Sequence, residues 1–127
     1  MMKRSIFHDQ ADFLKAGDVK FPGNSASEDL AVDLIAEEVE EFISTSDYFL
    51  HGDYNALKEA IDCIYVLAQY LNVCVGPDNA ESLWLLVHKN NMSKCIDGKL
   101  VKRADGKIMK PYEYKKLTDE DIKAIIN

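Results

Sequence analysis

The chain has 127 residues, of which 47% are apolar and 29% are charged. This length predicts one domain, residues 1–127, that buries a core without disulfides, and this composition excludes a disordered protein. The net charge of −7 argues against binding to nucleic acid or to a membrane surface. No apolar run reaches the about 18 residues of a membrane span, and no signal peptide is expected. An odd number of cysteines without a CxxC spacing predicts reduced thiols in a cytoplasmic protein; they are Cys63, Cys74 and Cys95.

The charge is unevenly distributed along the chain. Residues 1–88 carry 5 bases and 16 acids, a net charge of −11, and residues 89–127 carry 10 bases and 6 acids, a net charge of +4. An acidic body with a basic tail suits a site that holds a metal cation together with an anionic substrate. A solvated acidic surface followed by a basic tail would give the same pattern.

The first half of the chain predicts two helices separated by a loop. Apolar spacing indicates a short helix over residues 6–15, and a Gly- and Pro-containing segment, residues 17–25, indicates the loop. A long helix is then expected to end at about Tyr48. Its N-cap has three alternatives, Ser25, Ser27 and Asp29.

The second half predicts two more long helices, followed by a β-hairpin and a short last helix. A helix capped by Asp53 is expected to end near residue 73, and another, capped by Asp78 or Asn79, near residue 94. Residues 100–103 and 107–109 flank an Asp-Gly turn, which predicts a β-hairpin. A last helix over 118–126 is capped by Thr118. The predicted fold is therefore all-α: a bundle of four to five helices with a small C-terminal β-hairpin.

Residues 37–41 of the first long helix read Glu-Glu-Val-Glu-Glu. At about 100° per residue, Glu37 and Glu40 fall on the polar side, whereas Glu38 falls inside the apolar arc and Glu41 at its edge. Glu38 and Glu41 are three residues apart and are therefore neighbours on one face. Two carboxylates turned toward a core repel each other and are costly to desolvate, so they need a cation.

The next helix carries a matching pair, Glu59 and Asp62, opposite a strong apolar stripe. Because the side that bears this pair is also apolar, we expect the helix to be buried between layers or against a partner subunit, with both acids buried. The stripe consists of Leu57, Ala60, Ile61, Ile64, Ala68 and Leu71.

If the two helices are antiparallel, the four carboxylates of Glu38, Glu41, Glu59 and Asp62 can converge. Oxygen-only ligation suits Mg²⁺, for which Mn²⁺ can substitute. The competing interpretation is two unrelated ion-pair patches on the surface. A di-iron site, a zinc site, an EF-hand and a Gly-rich phosphate loop all lack the spacing that they require.

Four blocks in order resemble the all-α nucleoside triphosphate pyrophosphohydrolases, which include MazG and phosphoribosyl-ATP pyrophosphohydrolase. The first is Glu37-Glu38-x-x-Glu41 followed by Glu59-x-x-Asp62, and the second is the continuation Asp62-Cys63-Ile64-Tyr65-Val66. The third is Asn91-Met92-Ser93-Lys94, and the fourth contains the two Asp-Gly-Lys turns at 97–99 and 105–107. The resemblance covers about residues 28–112 and indicates a single MazG-like domain.

The resemblance implies Mg²⁺-dependent cleavage of a nucleotide between the α and β phosphates, and a bundle completed by pairing into a homodimer or homotetramer. Glu38, Glu41, Glu59 and Asp62 are then the metal ligands. Asn91 and Lys94 are the expected substrate contacts, with Lys89 a weaker candidate. Glu37 and Glu38 are the candidate catalytic residues, Glu37 as a base for the attacking water or else as a solvated surface residue.

Two segments depart from the pattern and leave the preferred base open. Phe21-Pro22 only partly matches a Phe-Gly-x-Pro-like segment, and the stretch after Pro111 lacks a Pro-Asp ending. Two other functions remain as alternatives. One is a catalytically silent helical module that binds nucleotide or protein, and the other is a helical phosphohydrolase that releases orthophosphate.

Overall fold

The computed structural model describes residues 4–45 and 48–126. Over these residues the chain forms five α-helices and one two-stranded antiparallel sheet, which confirms the all-α fold with a C-terminal hairpin. The helices are α1 (Ile6–Ala16), α2 (Ser25–Ile43), α3 (Asn55–Val75), α4 (Pro77–Met92) and α5 (Asp119–Ile126), with a 3₁₀ turn at Phe49–His51. The strands are β1 (Val101–Lys102) and β2 (Ile108–Met109).

The chain separates into two compact units, one ending at Ala80 and the other beginning at Glu81. The assignment of residues 1–127 to a single domain stays a prediction. No helix in the described ranges is by itself long and apolar enough to span a membrane; α3 and α4 reach that limit only when counted together across the bend between them.

Helix α2 differs from the prediction at both ends. Its N-cap is Asn24, whose side chain accepts a hydrogen bond from the Ser27 N–H at 3.0 Å, while Ser27 Oγ accepts from the Asn24 N–H at 2.9 Å. The predicted extension to Tyr48 is wrong, because the helix ends at Ile43. There the Thr45 hydroxyl donates to the Phe42 carbonyl at 2.8 Å and satisfies a group that another helical turn would have bonded.

The bounds of α3 and α4 also shift by a few residues. Asp53 accepts a hydrogen bond from the Asn55 N–H at 3.0 Å, so it serves the first turn of α3 as expected, but α3 continues to Val75. Gly76 has φ +83°, a left-handed conformation that favours glycine, and it ends the helix. Helix α4 then begins at Pro77 rather than after a cap at 78 or 79, since proline fits the first helical position, where its missing N–H is not needed.

The first unit is built around α3, which packs against both α1 and α2. Its buried core consists mainly of small side chains, and Phe7, Ala68 and Ala80 form one cluster. Asn72, fully buried, donates through Nδ2 to the Phe7 carbonyl at 2.9 Å and to Gln10 Oε1 at 2.8 Å. These bonds attach α3 to α1 and so fix the helix that carries Glu59.

The predicted apolar stripe of α3 is only partly buried. Ala68 is buried, but Leu57, Ile61 and Ile64 are 49%, 60% and 46% exposed. Beside them, Tyr65 makes an edge-to-face contact with Phe13 of α1, with ring centroids 5.6 Å apart. The face that carries the stripe is therefore not covered by other layers of the described chain, and its burial against a partner subunit stays a prediction.

In the second unit, the hairpin pairs Val101 with Met109 and Lys102 with Ile108, within the predicted segments. The predicted cap of α5 is confirmed: the Thr118 N–H donates to Asp121 Oδ2 at 2.9 Å, and the Asp121 N–H donates to Thr118 Oγ1 at 3.3 Å. Trp84 on α4 is 58% exposed.

Candidate functional site

Helices α2 and α3 run antiparallel, as the predicted convergence requires. Tyr70 on α3 donates a hydrogen bond to Glu28 near the start of α2, at 3.3 Å. Further along α2, the Cys63 thiol donates to the Glu38 carbonyl oxygen, also at 3.3 Å. Advancing along α2 thus corresponds to moving back along α3, which brings the Glu38–Glu41 pair to the Glu59 region.

Three of the four predicted metal ligands are brought together. One carboxylate oxygen from each of Glu38, Glu41 and Glu59 lies within 4.8 Å of the other two. Glu59 is buried, Glu38 is half-buried and Glu41 is exposed, so the group extends from the helix interface to solvent. We call these three residues the carboxylate cluster.

Two oxygens of the carboxylate cluster are buried without a hydrogen-bond partner among the described residues. They are Oε2 of Glu38 and Oε2 of Glu59. The other oxygen of Glu59, Oε1, accepts from Asn55 Nδ2 at 3.2 Å and lies 3.8 Å from Lys58 Nζ. Buried carboxylate oxygens are normally paired, so this donor set fits an oxygen-preferring divalent cation.

The electrostatics of the carboxylate cluster are those of crowded negative charge. Partial burial raises the pKa of Glu38 above its ordinary value, and the neighbouring Glu41 and Asp62 raise that pKa further. Burial also raises the pKa of the Cys63 thiol, with Glu38 as the next cause. A cation placed among these carboxylates would remove the repulsion that these shifts express.

Asp62, the fourth predicted ligand, is half-buried and is engaged elsewhere. Lys58 Nζ lies 2.7 Å from Asp62 Oδ2, one helical turn away on α3, and this pairing raises the pKa of Lys58. Asp62 is therefore not one of the three clustered carboxylates. The ion pair was missed in the sequence, although an i, i+4 spacing of Lys and Asp favours it.

The candidate base, Glu37, lies on the exposed side of α2 and is not a member of the carboxylate cluster. This exposed position agrees with the 100° period, which places Glu37 on the polar side of the helix.

The three predicted substrate contacts lie in the second unit. Lys94 Nζ donates to Asn91 Oδ1 at 3.2 Å and lies 5.8 Å from the centre of the Tyr114 ring. Lys89 is exposed and lines a cavity of about 400 Å³ together with Lys115 and other residues of the same unit. The structure thus pairs Asn91 with Lys94, whereas Lys89 lines a cavity that neither of these two residues lines.

Sequence reasoning missed Asn90, the neighbour of the residue it selected. Its Nδ2 donates to the Lys115 carbonyl at 2.8 Å, and its Oδ1 accepts from the Tyr114 hydroxyl at 2.9 Å. Asn90 therefore holds the tail against α4 within the second unit. The Asn-Asn dipeptide gave no signal that separates this role from ligand binding.

Comparison of the chain with protein-family models, with curated proteins and with solved structures gave no match.

Proposed function

We propose that this protein is a Mg²⁺-dependent nucleoside triphosphate pyrophosphohydrolase, which adds water across the α–β phosphoanhydride of a (deoxy)nucleoside triphosphate and gives the monophosphate and pyrophosphate. The observation that carries the proposal is the carboxylate cluster with its two unpartnered buried oxygens. The order and spacing of Glu38, Glu41, Glu59 and Asp62 resemble the pyrophosphohydrolase pattern. Such a reaction suits nucleotide-pool control or the removal of unwanted nucleotides.

The residues that would hold the metal are Glu38, Glu41 and Glu59, and Asp62 would join them on leaving Lys58. A divalent ion bound there would neutralise the non-bridging phosphate oxygens and lower the pKa of a bound water. Glu37 would accept the proton of the attacking water. Asn91 and Lys94, with Lys89 a weaker candidate, remain the predicted substrate contacts, since a lysine can offset the charge of a departing pyrophosphate.

We also propose that the protein forms a homodimer or homotetramer in the cytoplasm. Large apolar side chains on α1 and α3 are exposed, including Phe13, Ile61 and Ile64, while the core of the described chain is built mainly of small residues. A second copy that covers this face would stabilise the assembly by about 25 cal/mol for each Å² of apolar surface that it removes from water. Three free cysteines suit a reducing compartment.

The second candidate function is the catalytically silent module, and one observation favours it. The Lys58–Asp62 ion pair satisfies the fourth carboxylate without any metal. A protein that keeps this pair permanently would bind a nucleotide or a protein through the same fold without hydrolysis.

The experiment that separates these functions is to incubate the purified protein with Mg²⁺ and a panel of NTPs and dNTPs and to identify both products. We expect monophosphate and pyrophosphate, and a rate at least about 10-fold lower in Glu38→Gln, because replacing even a residue that only supports the ligands of a metal site commonly costs 10- to 100-fold. Glu40→Gln is the matched control, since Glu40 is exposed on the same helix and the change in charge is identical.

Three other outcomes would contradict the proposal. Orthophosphate as the product would indicate a different phosphohydrolase. Nucleotide binding without turnover, with Mn²⁺ also tested, would favour the silent module. Equal activity in the Glu38 and Glu40 variants would show that the carboxylate cluster is not the active site.

A further inference from the structure

A cavity of about 430 Å³ lies in the first unit where α2 ends and α3 begins. Its lining is almost entirely apolar and aromatic. The lining residues are Phe42, Tyr48, Phe49, Leu50, His51, Ala56, Leu57 and Ala60. Pockets that bind small molecules typically combine such a lining with a few polar groups.

The aromatic rings of this cavity are held by neighbours rather than packed into a core. The Phe42 and Tyr48 ring centroids are 5.8 Å apart at an interplanar angle of 39°, and the Phe49 ring meets Tyr54 edge to face at 5.6 Å. Tyr48 and Phe49 nevertheless remain 47% and 43% exposed. The cavity thus presents aromatic rings in defined positions that the described residues leave partly exposed.

Few polar atoms line the cavity. The Tyr48 hydroxyl donates to the Ile43 carbonyl at 3.4 Å, and among the described lining residues the other polar side chain is the His51 ring. An occupant would therefore be held mainly through stacking and apolar contact.

The cavity and the carboxylate cluster are adjacent along both helices. Phe42 follows Glu38 by four residues on α2, and Ala56 precedes Glu59 by three residues on α3. Each of these two lining residues therefore lies on the same helix face as a member of the carboxylate cluster. In both helices the step is one turn, about 5.4 Å, toward the connection between α2 and α3. A molecule bound to the cluster at one end can therefore reach the cavity with its other end.

We propose that this cavity holds the base of a nucleotide, stacked on the Phe42, Tyr48 and Phe49 rings, while the phosphates lie toward the carboxylate cluster. This inference rests on the proposed function, and it names the part of the substrate that the cavity takes. Because every base has a π face, stacking with little hydrogen-bonded readout tolerates all bases and favours the larger purines. The enzyme is then broad in base preference, with purine triphosphates bound more tightly than pyrimidine triphosphates.

The test compares Phe49→Ala with wild type on two substrates, ATP and methyl triphosphate, which has the phosphates but no base. Loss of one stacking partner should raise KM for ATP roughly 10-fold with little change in kcat. KM for methyl triphosphate should not change. Phe49→Tyr, which keeps the ring, should restore the ATP value. Tyr112→Ala is the matched control, since it removes an exposed aromatic side chain that does not line the cavity.

Two outcomes of this comparison, one in the kinetics and one in sedimentation, would overturn the inference. Equal changes in KM for both substrates would mean that Phe49 acts on the fold or on the phosphates rather than on the base. A change in sedimentation without a change in KM would mean that a second copy of the chain covers the cavity.

Failure of the proposed function is a separate result. If wild type cleaves no triphosphate, titration of the metal-free protein with adenosine, followed by NMR, tests the cavity alone. Adenosine should shift the wild-type signals of Phe42, Phe49 and Ala56, and Phe49→Ala should bind adenosine about 10-fold more weakly; both results would sustain the inference. Unperturbed wild-type spectra would overturn it.

Discussion

At the scale of single residues, the site is defined by two buried carboxylate oxygens that accept no hydrogen bond from the described residues. Oε2 of Glu38 and Oε2 of Glu59 are buried without a partner among the described residues, while Asp62 is neutralised by Lys58. Helical periodicity was enough to predict that Glu38, rather than Glu37 or Glu40, faces the interior. It could not predict that Asp62 pairs with Lys58, since an exposed lysine can form an ion pair with any of several nearby carboxylates, and side-chain geometry decides which pair forms.

The raised pKa of Glu38 predicts a pH-dependent stability in the metal-free protein. Because the folded state binds this proton more tightly than the unfolded state, stability is lost as pH rises from the ordinary pKa of 4.5 through the raised value. Glu38→Gln cannot ionise, so we expect a higher Tm than wild type at pH 7 and a flatter dependence of Tm on pH over that range. Thermal unfolding monitored by circular dichroism in EDTA measures both.

Glu40→Gln is the control for this prediction, and its unfolding free energy should stay within about 0.5 kcal/mol of wild type, as for other surface substitutions. A Glu38→Gln variant that is less stable than wild type at pH 7 without metal would show that the Glu38 carboxylate is already satisfied in the folded protein.

At the scale of elements, the helices and their order followed from periodicity, but the ends of α2 and the starts and ends of α3 and α4 did not. Asn24, Ser25, Ser27 and Asp29 are all favourable N-cap residues, and the choice falls on Asn24 because its backbone is extended, with φ −123°. The sequence also left open whether the α3 stripe packs within the chain or against a partner subunit. The stripe's 3.6-residue spacing is the same whether the face packs within the chain or against another molecule.

The position of the cap predicts which substitution destabilises α2. Asn24→Ala removes the side-chain acceptor for the Ser27 N–H and should cost about 1 kcal/mol of unfolding free energy. Ser25→Ala and Asp29→Ala should each cost less than about 0.5 kcal/mol, as surface changes. Urea denaturation of the three variants decides between the predicted and observed caps; an equal or larger loss in Ser25→Ala would contradict the observed one.

The attachment of α3 to α1 depends on one buried amide. Asn72→Ala leaves the Phe7 carbonyl and Gln10 Oε1 without their donor, so we expect a loss of about 2–3 kcal/mol in unfolding free energy. Asn79→Ala, which removes a single bond to the Val75 carbonyl at 3.0 Å, should cost about 1 kcal/mol. Chemical denaturation measures both, and equal effects would mean that the Asn72 bonds contribute no more than an ordinary one.

At the scale of the whole molecule, the distribution of apolar surface points to self-association. The large residues Ile61 and Ile64 are exposed on α3 beside the contact between Tyr65 and Phe13, and this face belongs to the helix that carries Glu59. Composition alone predicted a domain able to bury a core. Composition could not show that many large apolar side chains remain exposed, because their exposure depends on which helices pack against each other.

This surface predicts that Ile61→Glu dissociates the proposed oligomer. A charge placed in an apolar interface should raise the dissociation constant at least about 30-fold, equivalent to about 2 kcal/mol. Tyr112→Glu, a substitution at a fully exposed side chain, is the control and should sediment as wild type does. Analytical ultracentrifugation measures both, and a wild type that is monomeric at high concentration would contradict the proposed assembly.

The most direct test of the account is a Mn²⁺ titration of the metal-free protein, followed by the loss of the free-ion EPR signal. We expect wild type to bind Mn²⁺, Mg²⁺ to compete for the same site, and Glu59→Gln to weaken the affinity at least about 10-fold, because it removes the most buried carboxylate of the cluster. Glu40→Gln should bind as wild type does. Equal binding by wild type and Glu59→Gln, or no binding by wild type at millimolar Mn²⁺, would contradict the assignment of the carboxylate cluster as a metal site.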